Sequence, residues 1–313
     1  EGDGVTYEFV PLPRVVDVVR SLHPDVIHLH GFIFPIAIWS IARAFRGVPL
    51  MIQDHATRLP HGFRRLLWGK VCQSVDAVAF TSREQSLPFY ESGVFRSDMK
   101  LFEILEGSSF FTPGDRDAAR RRNGIGGDPC ILWVGRLDSN KDPLTALDAF
   151  ERAAPSLPDA RMWCAYREAP LLGAVRERIA ASPVLSERVT LIGERTYDQM
   201  EDLFRASDFF VQTSHFEGSG FSALEAMACG TPALLTDIPS FRRITNDGNA
   251  GSLTPVDDSV ALAQAMVLWA AKDRLRMRHA AREWFERGLS FDSIGRDLRS
   301  AYETLANTGR SSR

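Results

Sequence analysis

The 313-residue chain is short of the features that assign a protein quickly. Its four cysteines, Cys72, Cys130, Cys164 and Cys229, lie far apart, form no C-x-x-C pair and sit mostly in apolar segments. That excludes a disulfide framework or a cysteine-built zinc module, and it points to a reducing, cytoplasmic setting. No run reaches the roughly 18 apolar residues needed to span a bilayer. The longest stretch, Gly31 to Ala44, is interrupted by Pro35, Ser40 and Arg43, so no transmembrane segment is expected and only peripheral membrane contact stays open. Net charge is small: 37 Lys and Arg against 40 Asp and Glu give −3, without the basic footprint of a nucleic-acid binder. The run Arg120-Arg121-Arg122 is accordingly read as a solvated helix face. No signal peptide is visible, and the first residue is Glu1 rather than methionine.

What is present is regular alternation. At 44% hydrophobic content a chain of this length can fill two cores. Apolar runs and turn signals predict strands at 5–10, 26–30, 48–53, 77–80, 100–105, 130–134, 161–165, 189–192, 209–212 and 232–235. Helices are expected between them at 13–22, 35–45, 62–74, 84–90, 171–181, 199–206 and 220–229, with another opening at Pro143. Strands alternating with helices mean parallel β-α units, hence an α/β fold of doubly wound sheets. The turn-rich patches 111–115 and 124–129 break this rhythm and bracket an expected linker. A final helix carries Phe291, Ile294, Leu298, Tyr302 and Leu305 as one apolar stripe, followed by a polar tail, 307–313, expected to be disordered.

Ligands of such sheets bind at the carboxyl ends of the strands. In the first half those ends carry His30-Gly31, Asp54-His55, Ser82 and Glu106-Gly107-Ser108. His55 stands out as able to face a cleft, against the alternative of a histidine bonded within its loop for structural reasons. His28 is expected to face away from His30. In the second half, strand 130–134 runs into Gly135-Arg136-Leu137-Asp138-Ser139-Asn140-Lys141-Asp142-Pro143, which sets two cations on one loop with a helix starting at the proline.

The densest signal is His215-Phe216-Glu217-Gly218-Ser219-Gly220-Phe221-Ser222-Ala223-Leu224-Glu225-Ala226-Met227-Ala228-Cys229-Gly230. Here a buried strand hands over to a helix through two glycines, a junction whose free N–H groups and macrodipole suit a phosphate. The carboxylates of Glu217 and Glu225 would repel that phosphate, so they suit neutral hydroxyls on either side of it: a hexose and a ribose flanking a diphosphate. Two plainer readings compete. Ser222-Ala223-Leu224-Glu225 is a capping-box pattern. Gly218 to Ala223 also fits the loose dinucleotide fingerprint G-x-G-x-x-A, with Asp237 ending the next strand, which would make a dinucleotide-dependent oxidoreductase.

Residues 217–230 resemble the E-G-x-G-x-x-x-x-E-A-M-A-x-G signature of retaining GT-B glycosyltransferases of the family-4 type, the glycosyl transferases group 1. Gly135 to Pro143 resembles that family's G-R-L-x-x-x-K-x-P element. Ser219 stands where the family usually has an aromatic residue and Ser222 where it often has proline, departures that bear on sugar selectivity. The resemblance implies two Rossmann-like domains facing one cleft: an acceptor domain at 1–112, incomplete at its start, a linker at 113–129, a nucleotide-sugar domain at 130–290, and a helix at 291–306 crossing back. It implies transfer of a sugar from a nucleoside-diphosphate sugar to an acceptor with retention at the anomeric carbon, needing no cofactor and no metal. Arg136 and Lys141 would hold the diphosphate, helped by the N–H groups of Gly220 and Phe221, with Gly135, Gly218 and Ser219 lining the donor. Glu217 would orient the sugar, Glu225, two turns into the helix, would take the ribose, and His55 would touch the donor sugar. Ile192-Gly193 and Tyr197 would lie near the base. The acceptor, whether small molecule, glycan or lipid-linked, is left open, as is a donor-binding module that has lost turnover.

Overall fold

The structure is a computed structural model that describes residues 11–32 and 34–311, with side chains as far as Asn307. The strand expected at 5–10 lies outside these residues. The chain divides into two compact units, one of residues up to Glu106 together with those from Asp297 onward, the other Gly107–Arg296.

Among the described residues the first unit has four parallel strands, β1 (Ile27–His30), β2 (Leu50–Gln53), β3 (Ala77–Phe80) and β4 (Lys100–Glu103), side by side in that order. Helices α1 (Leu12–Ser21), α2 (Pro35–Ala44), α3 (Phe63–Cys72) and α4 (Arg83–Glu91) alternate with them. Right-handed crossovers between neighbouring strands taken in sequence put α2, α3 and α4 on one face of the sheet. Ile27, Leu50, Ile52, Val78 and Phe80 point into that face and pack with Ile38, Ile41, Trp68, Val71 and Phe89. His28 and His30 share the other face, with ring centroids 4.6 Å apart. The expectation that they face apart is corrected by the two-residue period of a strand, which returns residue i+2 to the face of residue i.

The second unit contains α5 (Arg116–Asn123), β5 (Cys130–Val134), α6 (Pro143–Ala153), β6 (Arg161–Ala165), α7 (Leu172–Ala180), α8 (Pro183–Arg188) and β7 (Val189–Gly193). It continues with α9 (Tyr197–Ala206), β8 (Phe209–Gln212), α10 (Phe221–Ala228), β9 (Ala233–Thr236), α11 (Pro239–Thr245), β10 (Ser252–Thr254), α12 (Ser259–Ala270) and α13 (Arg274–Trp284). Its parallel sheet runs β10-β9-β8-β5-β6-β7, so the order of winding reverses between β5 and β8. Helix α14 (Phe291–Ser311) starts in this unit and belongs to the first unit from Asp297. It continues to Ser311, so most of the tail expected to be disordered is helical.

The stretch 113–129, expected as a linker, is instead part of the second unit and holds α5. Asp115 caps this helix by accepting from the Ala118 N–H, and Gly124 closes it in the left-handed conformation. Of the arginines expected to form a solvated face, Arg121 and Arg122 are exposed, but Arg120 and Arg122 are engaged in ion pairs. Arg116 and Arg120 donate to the carboxylate of Asp208 at 2.7 and 2.8 Å, and Arg122 grips Asp202 through both oxygens. Asp208 is 3% exposed and also accepts from the Cys130 N–H at 2.7 Å, so this buried carboxylate ties the start of β8 to α5 and β5.

Candidate active site

The reversal between β5 and β8 leaves a crevice beyond their carboxyl ends, where doubly wound sheets hold ligands. The two loops singled out in the sequence leave from these two strands. Gly135 follows β5, and a Cβ there would lie 3.2 to 3.4 Å from Trp133 and the Lys141 stem, so the absence of a side chain lets the lysine fold back over the strand end. Leu137 is fully buried and anchors the loop through bonds to Glu168 O and from Leu171 N. Asp138 Oδ1 accepts from Lys141 N at 2.8 Å, and Asp142 caps α6 by accepting from Thr145 N. The loop is therefore fixed before any ligand arrives.

The loop after β8 is stitched to it. His215 N donates to Asn140 O at 2.8 Å, Asn140 Nδ2 donates to Phe216 O at 2.9 Å, and Thr213 Oγ1 reaches the carbonyls of Lys141 and Asp142 at 2.9 and 2.7 Å. These bonds set Lys141 Nζ directly on Glu217 Oε1, and both side chains are largely buried. Gln212 Nε2, from the buried end of β8, adds a 3.4 Å contact to the same carboxylate oxygen. Arg136 lies differently: it is half exposed, bonded to Asp138 Oδ2 at 2.8 Å and 3.7 Å from Glu168.

Gly220 ends the loop at φ +64°, where a Cβ would fall 2.6 Å from the Phe241 ring, so only glycine fits. It is the N-cap of α10 and offers no side chain to the helix start. Among the described residues the Phe221 and Ser222 N–H groups have no partner. At the other end Arg282 Nη1 and Arg278 Nη2 donate to Ala228 O and Cys229 O at 2.5 and 3.2 Å. Cations on the carbonyl end and no cap on the amide end leave α10 aimed at an anion. Because the N-cap is Gly220, Ser222 lies inside the helix and the capping-box reading fails.

Glu225 sits one turn into α10 rather than two, since the helix starts at Phe221. Burial pushes its carboxyl up to about 7, and among the described residues it has no hydrogen-bonded or ionic partner. Tyr197, whose hydroxyl is raised first by burial and then by the Glu225 charge, is near it and packs on Phe111 at 4.6 Å. The dinucleotide reading loses its acidic partner, because Asp237 is held by Arg242 at 2.6 Å. The Asp-x-Asp string 115–117 is taken up in capping α5 and pairing with Arg116. One cluster was missed in the sequence: Asp142, His215 and Asp257 bring ligand-type atoms within 4.8 Å of one another beside the loop. Only folding brings positions this far apart in the chain together.

His55 belongs to the first unit. Its Nδ1 is 2.5 Å from Glu106 Oε2 and its Nε2 is 2.9 Å from His30 Nδ1. The His55 ring thus bridges Glu106 and His30, one ring nitrogen to each. His28 continues the series to Tyr302 Oη at 2.8 Å; burial, then His30 and His55, lower it to about 4. Asp54 beside them is raised to about 6 by burial. Both strand-end residues noted in the sequence, His55 and Glu106, thus meet in one pair.

The model of the family described as glycosyl transferases group 1 matches residues 115–284. A GDP-mannose:cellobiosyl-diphosphopolyprenol alpha-mannosyltransferase of Xanthomonas oryzae is 26% identical over 94% of this chain and 77% of its own length. A D-inositol 3-phosphate glycosyltransferase of Mycobacteroides abscessus is 30% identical over 89% of this chain, which spans 65% of that relative. Among solved structures, sucrose-phosphate synthase of Thermosynechococcus elongatus aligns with TM-score 0.71 at 21% identity over 95% of this chain and 78% of its own. Anabaena Alr3699/HepE in complex with UDP aligns with TM-score 0.75 at 18% identity over 94% and 82%, which together establish the GT-B fold. The chain belongs to the glycosyl transferases group 1 family and is a glycosyltransferase.

Proposed function

We propose that the second unit binds a nucleoside-diphosphate sugar and that the enzyme transfers its sugar with retention, without a metal ion. The observation that carries this reading is the meeting of the β5 and β8 loops at the switch point, where Lys141 and the open end of α10 face the same place as Glu217. It is supported by one relative named as a GDP-mannose-dependent mannosyltransferase, another named as a D-inositol 3-phosphate glycosyltransferase, and a fold neighbour solved with UDP-glucose.

As the bond from the anomeric carbon to the β-phosphate oxygen breaks, its electron pair stays on that oxygen. Lys141 and the Phe221 and Ser222 N–H groups are preorganised for this charge, and one such donor contributes about 3 kcal/mol to a transition state. Arg136, more exposed, meets the diphosphate from the solvent side. Glu217 turns from the lysine to the sugar hydroxyls, and Glu225, with Tyr197 nearby, takes the ribose. The acceptor oxygen closes on the same face of the sugar as its proton passes to the departing phosphate, so configuration is kept. His55 with Glu106 serves the first unit's end of the reaction.

Titration with UDP and GDP under chelator, followed by incubation with UDP- and GDP-sugars, tests the assignment. Binding of one nucleotide without metal, and hydrolysis of its sugar with the anomeric configuration kept, is expected. Binding that needs added magnesium overturns metal independence and draws attention to Asp142, His215 and Asp257.

A further inference from the structure

The outward faces of α2 and α3, which lie side by side on the first sheet, are unusual for surface helices. Each helix buries one stripe, Ile38 and Ile41 in α2 and Trp68, Val71 and Cys72 in α3. The opposite stripe should be polar. Instead α3 presents Phe63, Leu66 and Leu67 at helical spacing, exposed by 79%, 63% and 37%, and α2 presents Ile36 and Trp39, exposed by 72% and 47%.

The charge around them is predominantly positive, with the exposed Asp76, beside Trp39, Arg43 and Arg46, as an exception. From Ile27 to Val75 the only acidic residue is Asp54, which is buried, while Arg43, Arg46, Arg64, Arg65 and Lys70 are all exposed. Among the described residues none of these five is in an ion pair, although the whole chain carries −3. Arg43 lies over the Trp39 ring at 5.5 Å, and Lys70 closes the stripe that Phe63 opens. Large apolar side chains set among unpaired cations match a surface that is apolar beneath and anionic on top. A nucleic acid would be served by the cations but not by aliphatic side chains such as Ile36, Leu66 and Leu67.

We propose that the α2–α3 face docks on an anionic lipid bilayer, with Phe63, Leu66, Ile36 and Trp39 entering the interface and the cations meeting the headgroups. This surface is separate from the donor residues, so its loss leaves donor hydrolysis in solution unchanged.

Flotation of the full chain with phosphatidylcholine vesicles, with and without phosphatidylglycerol, tests it. The chain is expected to float with the anionic vesicles, to stay behind with the neutral ones, and to be released by high salt. Arg64→Glu with Arg65→Glu should cut the bound fraction about thirtyfold, and Phe63→Ser with Leu66→Ser about tenfold. Thermal unfolding and donor hydrolysis should stay as in the parent chain, which separates lost docking from lost folding. Equal flotation with both vesicle types, no flotation, or indifference to the charge reversals overturns the proposal. So does self-association through this face without lipid binding, which would assign it to a second copy of the chain.

Discussion

The two sheets present different chemistry at their carboxyl ends. In the second unit a reversal of strand order brings two loops together and sets Lys141 on Glu217, while at the opposite, amino end of β8 Arg116 and Arg120 share Asp208. In the first unit the described strands succeed one another without a reversal, and they carry a row of imidazole rings, His28, His30 and His55, finishing on Glu106. The first arrangement sets opposite charges in direct contact. The second supplies protons that can be displaced, and it responds to pH.

The comparison breaks most visibly at Asp208. Asp208→Ala leaves Arg116 and Arg120 without their buried partner and the Cys130 N–H unsatisfied, a loss of about 3–5 kcal/mol by analogy with other buried pairs. Denaturant unfolding should show it; a change below about 1 kcal/mol would mean that the network is not what holds α5 in place. Next in size is Lys141→Met, expected to cost roughly 3 kcal/mol in the transition state and to appear mainly in kcat. A purely raised KM would assign the lysine to ground-state binding instead.

Glu225→Gln should weaken nucleoside diphosphate by about 1 to 3 kcal/mol, measured by calorimetry. The parent carboxyl, raised from 4.5 to about 7, accepts hydroxyl donors best when ionised, so binding should tighten as pH rises through 7 and the variant should lose that dependence. The same shift has the opposite sign for folding: its contribution is full below 4.5 and is lost as pH rises through 7. His28 is the counterpart in the first unit, and its effect is the smallest. Its pKa is lowered from 6.5 to about 4, so its contribution is present above 6.5 and fades as pH falls toward 4. Asp54, raised from 3.8 to about 6, contributes with the opposite sign, so the His28 part is read as a difference: hydrogen exchange should show less loosening of the first unit on acidification in His28→Phe than in the parent chain. A pH response of the same sign in both units would erase the contrast drawn here.

Much of this was legible in the sequence, for identifiable reasons. The buried strands β3, β5, β6 and β8 are apolar runs closed by turn residues, and they fall at the expected positions. The glycines and cations of 135–141 and 217–225 were legible because a strand-to-helix junction imposes its own residue types. Helix α5 was not: only Ala119 is buried along it, so it shows no apolar stripe and depends on arginines reaching an aspartate nearly ninety residues away. Its cap Asp115 and its terminating Gly124 were the available signal. The pairing of Lys141 with Glu217 spans 76 positions, and no local pattern encodes it. The facing of His28 needed only the strand period.

That lysine–glutamate contact also bears on how a turnover cycle would end. On the donor site proposed above, each partner is the stand-in for the other's substrate group: the carboxylate occupies the lysine where a phosphate would go, and the lysine occupies the carboxylate where hydroxyls would go. On that proposal an intact donor would satisfy both at once, whereas the spent nucleotide would offer a phosphate and nothing for Glu217. The carboxylate would then return to the lysine and compete with the product for it, so the proposed site would tend to expel what it has finished with. Glu217→Gln removes the competitor, and product inhibition by free nucleoside diphosphate should become stronger even as turnover falls.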